Sequence, residues 1–437
     1  MILDFTRVPV GHRCLGARSF RALAASAVLA LAALSAHGAP LAFEDALRLA
    51  QERSRQLPAQ DAAAAAAREM AAAAAQRPDP VLKFGVDNLP VNGSDAGSLT
   101  RDFMTMRKIG VSQEFTREDK RQARSARYER EADVARAGRD LVLANLQRDT
   151  AIAWLDRYYQ ERLREVLTAQ RDEARLQIEA AEAVYRGGRG SQADVFAARS
   201  AVAQLDDRIA QAERQVATAG TQLARWIGEP ASQPLGPPPG MATTRLDPAT
   251  LYTQLAHHPE LAVMARQAQM AQADVAVAQA NKKADWSVEL TYSQRGPSYS
   301  NMVSIGVSVP LQWDQKHRQD RDVAAKLALV DQAQAQLDEA TRDHTAEARQ
   351  MLQEWQSDRE RLRRYEDSLL PLAAQRTHAA LAAYRGNTGP LGAVLEARRA
   401  EIETRMDQLR LEMDTGRLWA QLNYLAPADH ASTVSHP

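Results

Sequence analysis

The sequence predicts a mainly α-helical protein with a small, membrane-type β portion, built as a tandem repeat. Three observations carry this. The chain echoes itself about halfway along. Four short segments alternate apolar and polar residues. Long alanine-rich stretches step their apolar residues at helical spacing.

The echo is specific. Tyr185, Arg186, Gly187, Gly190, Val195, Ala198, Arg199, Glu213 and Leu223 match Tyr384, Arg385, Gly386, Gly389, Val394, Ala397, Arg398, Glu412 and Leu422, 199 residues on. Ile109-Gly-Val-Ser112 matches Ile305-Gly-Val-Ser308, 196 residues on. Two echoes in one order at nearly one offset imply duplication. The first repeat spans 39–228 and the second 248–425, with a tail at 426–437. Between the repeats, 229–247 is a Pro/Gly-rich linker in which Pro230, Pro234 and Pro237 to Gly240 forbid helix.

Residues 1–38 read as a secretory signal. Arg7, Arg13, Arg18 and Arg21 precede an apolar or small run from Ala22 to Ala36, and Ala36-His-Gly38 offers small residues at the cleavage positions. The 15-residue run is short of the roughly 20 residues a spanning helix needs. Removing this segment takes away Cys14, the one cysteine, and leaves 51 basic against 54 acidic side chains. No disulfide or cysteine metal cluster is expected, no lipid-bearing cysteine stands at a suitable place, and charge gives no case for nucleic acid.

Helix is expected over 42–76, 117–186, about 192–228, 248–283, 315–385 and 391–425. Leu205, Ile209, Ala212, Val216, Ala219, Leu223 and Trp226 follow a seven-residue repeat, as in packed coiled coils. Leu411, Leu418, Leu422 and Leu425 continue it. A helix of ~70 residues is about 105 Å long, which suits a rod or a wall rather than a globule.

Strands are expected over 81–89, 103–115, 286–294 and 302–313. Leu82, Phe84 and Val86 share one face of the first, and Phe103, Ile109, Val111 and Phe115 one face of the second, though Thr105, Arg107 and Gln113 interrupt it. Trp286, Val288, Leu290 and Tyr292 share a face in the third, as do Val303, Ile305, Val307, Val309, Leu311 and Trp313 in the fourth. Strict alternation puts the apolar groups on one side of a sheet, and the lengths suit tilted strands in a bilayer. A soluble sheet is the bland reading, but no other segment offers an apolar face to cover this one. Four strands cannot close a barrel, and an open edge in lipid leaves backbone groups unpaired. Three chains would pool twelve strands, enough for closure. Lys83, Asp87, Lys108, Glu114 and Glu289 lie on the polar faces and would line the lumen of such a barrel.

The repeat, the Tyr-Arg-Gly turns followed by Val-x-x-Ala-Arg, the helix starts at Pro58 and His258-Pro259-Glu-Leu261, and the paired strands together resemble the TolC family of outer membrane efflux channels. The resemblance covers essentially all the chain after the signal. Within it, Asp79 to Gly93 and Asp102 to Phe115 resemble heavy-metal efflux members of the cobalt-zinc-cadmium and copper types. It implies a homotrimer with a twelve-stranded barrel in outer membrane lipid, continued by a long α-helical barrel in the periplasm. It further implies docking through a periplasmic adaptor (membrane fusion protein) to an inner membrane RND pump. It implies no catalysis and no cofactor. The turns at Tyr185, Arg186, Gly187 and Gly190 and at Tyr384, Arg385, Gly386 and Gly389 would form the adaptor-contacting tip. Asp194 and Glu396 would stand at the periplasmic gate, although Ala393 occupies a place where an acid is usual. No metal site is expected: His257-His258 points two ways, and no third ligand is near in sequence. Two rival readings stand beside this one: a coiled-coil envelope rod with soluble sheet caps, and a periplasmic adaptor.

Overall fold

The computed structural model describes residues 40–188, 190–246, 258–386 and 388–427. The expected signal at 1–38 and most of the C-terminal tail lie outside them, as do residues 247–257.

The elements run α1 (Phe43–Arg53), α2 (Gln56–Ala74), β1 (Val81–Asp87), β2 (Met106–Phe115), α3 (Glu118–Arg186) and α4 (Gln192–Ile227). A short 3-10 turn at Glu229–Ser232 follows. Then come α5 (Pro259–Ala280), β3 (Trp286–Gln294), β4 (Met302–Ser308), α6 (Gln319–Arg364), α7 (Leu370–Arg385) and α8 (Leu391–Asn423). The order of helix, strand pair, long helix and returning helix therefore occurs twice. Both copies of the Ile-Gly-Val-Ser echo fall on the second strand of a pair.

Five expected elements need correction. The helix expected over 42–76 is two helices, because the chain breaks at Ser54, whose hydroxyl accepts the Leu57 N–H at 3.5 Å and restarts the helix. The helix expected over 315–385 is interrupted by a π-helical turn at Tyr365–Leu369. Pro371 is the cause: it has no N–H to give to the preceding turn, so the ladder widens before it. The fourth strand ends at Ser308 rather than 313, since Pro310 cannot donate to a ladder. Likewise β1 stops at Asp87 and β2 starts only at Met106.

The helices pack on one another. Trp154 on α3 is fully buried and meets Phe43 of α1 edge-on at 5.5 Å, and Phe43 in turn meets Trp419 of α8 at 5.9 Å. Three helices far apart in sequence are joined by these rings. The linker is tied to the same core. Leu41 bridges Leu235 in parallel fashion, and the Arg157 guanidinium donates to the carbonyls of Ala231 and Gln233. The heptad positions Leu205, Ile209, Ala212, Ala219 and Leu223 are buried along α4. Among the described residues no helix is long and apolar enough to cross a membrane.

Candidate functional site

The four strands form one antiparallel sheet in the order β1-β2-β3-β4. The register sorts the side chains into two faces. Phe84 sits opposite Ile109, Ile109 opposite Tyr292, and Tyr292 opposite Val303. In the next row run Leu82, Val111, Leu290 and Ile305. Among the described residues nothing covers this continuous apolar face: Phe84 is 72% exposed, Ile305 74% and Val303 66%. A bare apolar patch this wide marks a membrane or a partner surface.

The other face is polar and holds Lys83, Asp87, Lys108, Glu114 and Glu289 together. Lys83 reaches Glu289 at 2.6 Å across β2, and Lys108 pairs with Asp87. Glycines make room for these bonds. Lys83 stands opposite Gly110, Lys108 opposite Gly85, and Glu289 opposite Gly306. A Cβ at Gly110 would come within 2.7 Å of the Thr291 hydroxyl, so any side chain there collides with the polar face. Alternating charge leaves this face wet but nearly neutral.

Below the sheet, a polar knot joins strands to helices. The Asp285 carboxylate, one residue before β3, accepts the Arg117 N–H at 3.0 Å and the Lys120 ammonium at 2.6 Å. Lys120 also donates to the Lys283 carbonyl at 3.2 Å. The Lys283 ammonium returns the connection to Asp119 at 2.9 Å. Phe115 stacks on Trp286 at 4.4 Å beside it. Sequence reasoning missed this knot, whose partners are some 165 residues apart. Bonds from Lys283 and then Arg117 hold the Asp119 carboxyl down to about 2. Burial pushes the Asp285 carboxyl up, but its bonds to Lys120 and Arg117 outweigh this and leave it low.

At the far end of the long helices, the two turns pack side by side. Ala181, Val195 and Ala198 share a buried cluster with Leu391 and Val394, and Tyr384 packs against it. Tyr185 instead points outward, and Arg186 and Arg385 are exposed. Gly187 and Gly386 accept the helix ends, each donating its N–H four residues back, at 3.1 and 2.9 Å. Gly190 and Gly389 are set by close approach: a Cβ there would meet Val184 at 3.1 Å and Ala383 at 3.2 Å. The two acids differ. Asp194 closes a capping box with Ser191, accepting the Ser191 N–H at 3.2 Å while its own N–H bonds the Ser191 hydroxyl at 3.1 Å. Glu396 is exposed and pairs with Arg376 at 3.0 Å.

One cluster could not be read from local sequence. His258 caps α5, and its Nδ1 accepts the Glu260 N–H at 3.3 Å. The His344 ring, on α6, lies 4.5 Å from it, and His344 Nε2 is 3.3 Å from a Glu260 carboxylate oxygen. The sequence expectation of no site looked for a third ligand nearby in the chain, whereas this one comes from another helix; His257 lies outside the described residues. Burial, then the neighbouring His344 and Arg148, pull His258 down to about 4.

No protein-family profile matches the chain, and no curated protein matches it in sequence. Solved structures do match. The outer-membrane channel OprN superposes with a TM-score of 0.74 at 16% identity, over 88% of this chain and 90% of that one. The outer membrane protein VceC from Vibrio cholerae gives 0.73 at 17%, over 88% and 95%. CusC, whose structures describe transmembrane channel formation, gives 0.69 at 15%, over 88% and 92%. The fold implied by the resemblance to TolC-type channels is thus matched along nearly the whole described chain: this protein has the fold shared by OprN, VceC and CusC.

Proposed function

We propose that this chain is one subunit of an outer membrane efflux channel of the TolC family. The observation that carries this is the uncovered apolar face of a four-stranded sheet set at one end of long packed helices. The sheet leaves β1 and β4 as free edges. Because all four strands alternate in direction, β4 of one copy can pair antiparallel with β1 of the next. Three copies then close a twelve-stranded barrel with no edge left in lipid. The apolar face meets lipid, and Lys83, Asp87, Lys108, Glu114 and Glu289 line the lumen. The helices hang into the periplasm as a tunnel. Its tip, at residues 185–190 and 384–389, docks the adaptor that connects to an inner membrane RND pump.

The chain catalyses nothing in this reading and acts as a passive duct. Heavy-metal cations are the proposed cargo class, supported by the resemblance of residues 79–93 and 102–115 to that branch. The envelope-rod reading is weaker because it leaves the apolar sheet face in water. The adaptor reading is weaker because the helical hairpin occurs twice with strands between the copies.

Conductance across a planar bilayer tests the duct. The purified protein is expected to give discrete single-channel steps, and a protein that inserts without conducting would overturn the reading. Glu396→Ala removes an exposed acid held only by Arg376 among the described residues, and should weaken block by divalent cations. Asp194→Ala should do so too, and it additionally loosens the turn by about 1 kcal/mol through loss of the cap. Unchanged block in both variants would remove these residues from the gate.

A further inference from the structure

We propose that His258, Glu260 and His344 form a binding site for one divalent transition-metal cation per chain. One candidate ligand atom from each lies within 4.8 Å of the others. Bonds of about 2.0–2.2 Å to nitrogen and oxygen need only a small closure of that triangle. Two imidazoles and a carboxylate favour zinc, cobalt, nickel or copper over calcium or magnesium, which prefer all-oxygen shells.

The setting supports the chemistry. His258 is 7% exposed at the start of α5, which confines its ring; ligation through Nε2 moves the ring proton to Nδ1 and gives up the bond from the Glu260 N–H. Glu260 follows in the first turn of the same helix. His344 comes from α6, with its Nε2 toward Glu260 and its Nδ1 3.9 Å from a carboxylate oxygen of Glu347. At that distance Glu347 makes no hydrogen bond to the ring; its charge adds to the negative potential at the site. Two imidazoles whose rings lie 4.5 Å apart repel each other if both are protonated. A shared cation lets both keep their lone pairs usefully occupied. The positive Arg148 nearby works against this, and Glu260 and Glu347 outnumber it.

A bound ion would staple the start of α5 to the middle of α6. The site lies apart from both the polar strand face and the hairpin tip, so it stands or falls independently of the channel reading. The test uses tag-free protein in detergent, titrated with cobalt(II) and followed by its visible absorption, with zinc(II) as competitor. One equivalent per chain with an intense, tetrahedral-type spectrum is expected. His344→Ala and Glu260→Gln should each weaken binding by about tenfold or more. Glu260 is half exposed, so Glu260→Gln keeps the fold even where a histidine change does not. Absence of cobalt binding in the wild-type chain, or equal binding in Glu260→Gln, would overturn the site.

Discussion

Ile305→Arg should remove the protein from the outer membrane, while Ser304→Arg should leave it there. The two residues are neighbours on β4 and differ only in face. Ile305 sits opposite Leu290 in the apolar row, and Ser304 sits opposite Thr291 in the polar one. If the apolar face meets lipid, an arginine near the middle of the span costs about 2–4 kcal/mol. The proposed trimer carries that change three times, at equivalent places around the barrel. On the polar face the same arginine meets water and the Glu289 carboxylate two strand positions away. Membrane fractionation with a detergent-resistance assay reads the difference. In a rod with a solvent-exposed sheet both substitutions would be harmless, since Ile305 is already 74% exposed and makes few contacts to lose. Equal behaviour of the two variants would therefore count against a lipid-facing sheet.

Asp285→Ala should detach the sheet from the helices. The carboxylate is 16% exposed and its partner Lys120 only 7%, so removing it strands a cation among buried groups. Loss of one partner of such a pair costs about 3 kcal/mol. The variant should melt well below the wild type in detergent, with early loss of strand signal. The same knot sets an acid limit. Both Asp285 and Asp119 titrate below the unfolded carboxylate value of about 3.9. A group depressed on folding stabilises fully above its unfolded value and loses that contribution as the pH falls through its folded one. Wild-type stability should thus fall between about pH 4 and pH 2, and Asp285→Ala should show a shallower fall over that window. A melting temperature unchanged by the substitution would show that the knot does not hold the junction.

Much of this architecture was legible in the sequence because its signals are periodic. Trp286, Val288, Leu290 and Tyr292 alternate without fault, and the third strand matches its expected bounds at Trp286–Gln294. Of the heptad positions, Leu205, Ile209, Ala212, Ala219 and Leu223 form a buried stripe, while Val216 is only half-buried. Boundaries failed where a single residue overrides a period. Ser54 restarts a helix ahead of the alanine-rich run, and Pro371 forces the π turn at Tyr365–Leu369. The polar strand residues could be sorted by parity alone, yet their pairing could not. Lys83 bonding Glu289 across Gly110 depends on the register between strands from different halves of the chain. The Lys120–Asp285 knot and the His258–His344 contact were invisible for the same reason: they join residues that only tertiary packing brings together. Asp194 carried a signal that went unused. Ser191 three residues before it is a capping-box spacing, and the carboxylate takes that structural role whatever else it does.

In the proposed channel one chain is an incomplete object, and its sheet is finished by copies of itself in a membrane. The mass of the detergent-solubilised protein, corrected for bound detergent, tests this most directly. Three chains are predicted, in a species extracted from the outer membrane fraction by detergent and not by salt. A monomer released by salt alone would contradict it, because a lone four-stranded sheet cannot close its edges in lipid.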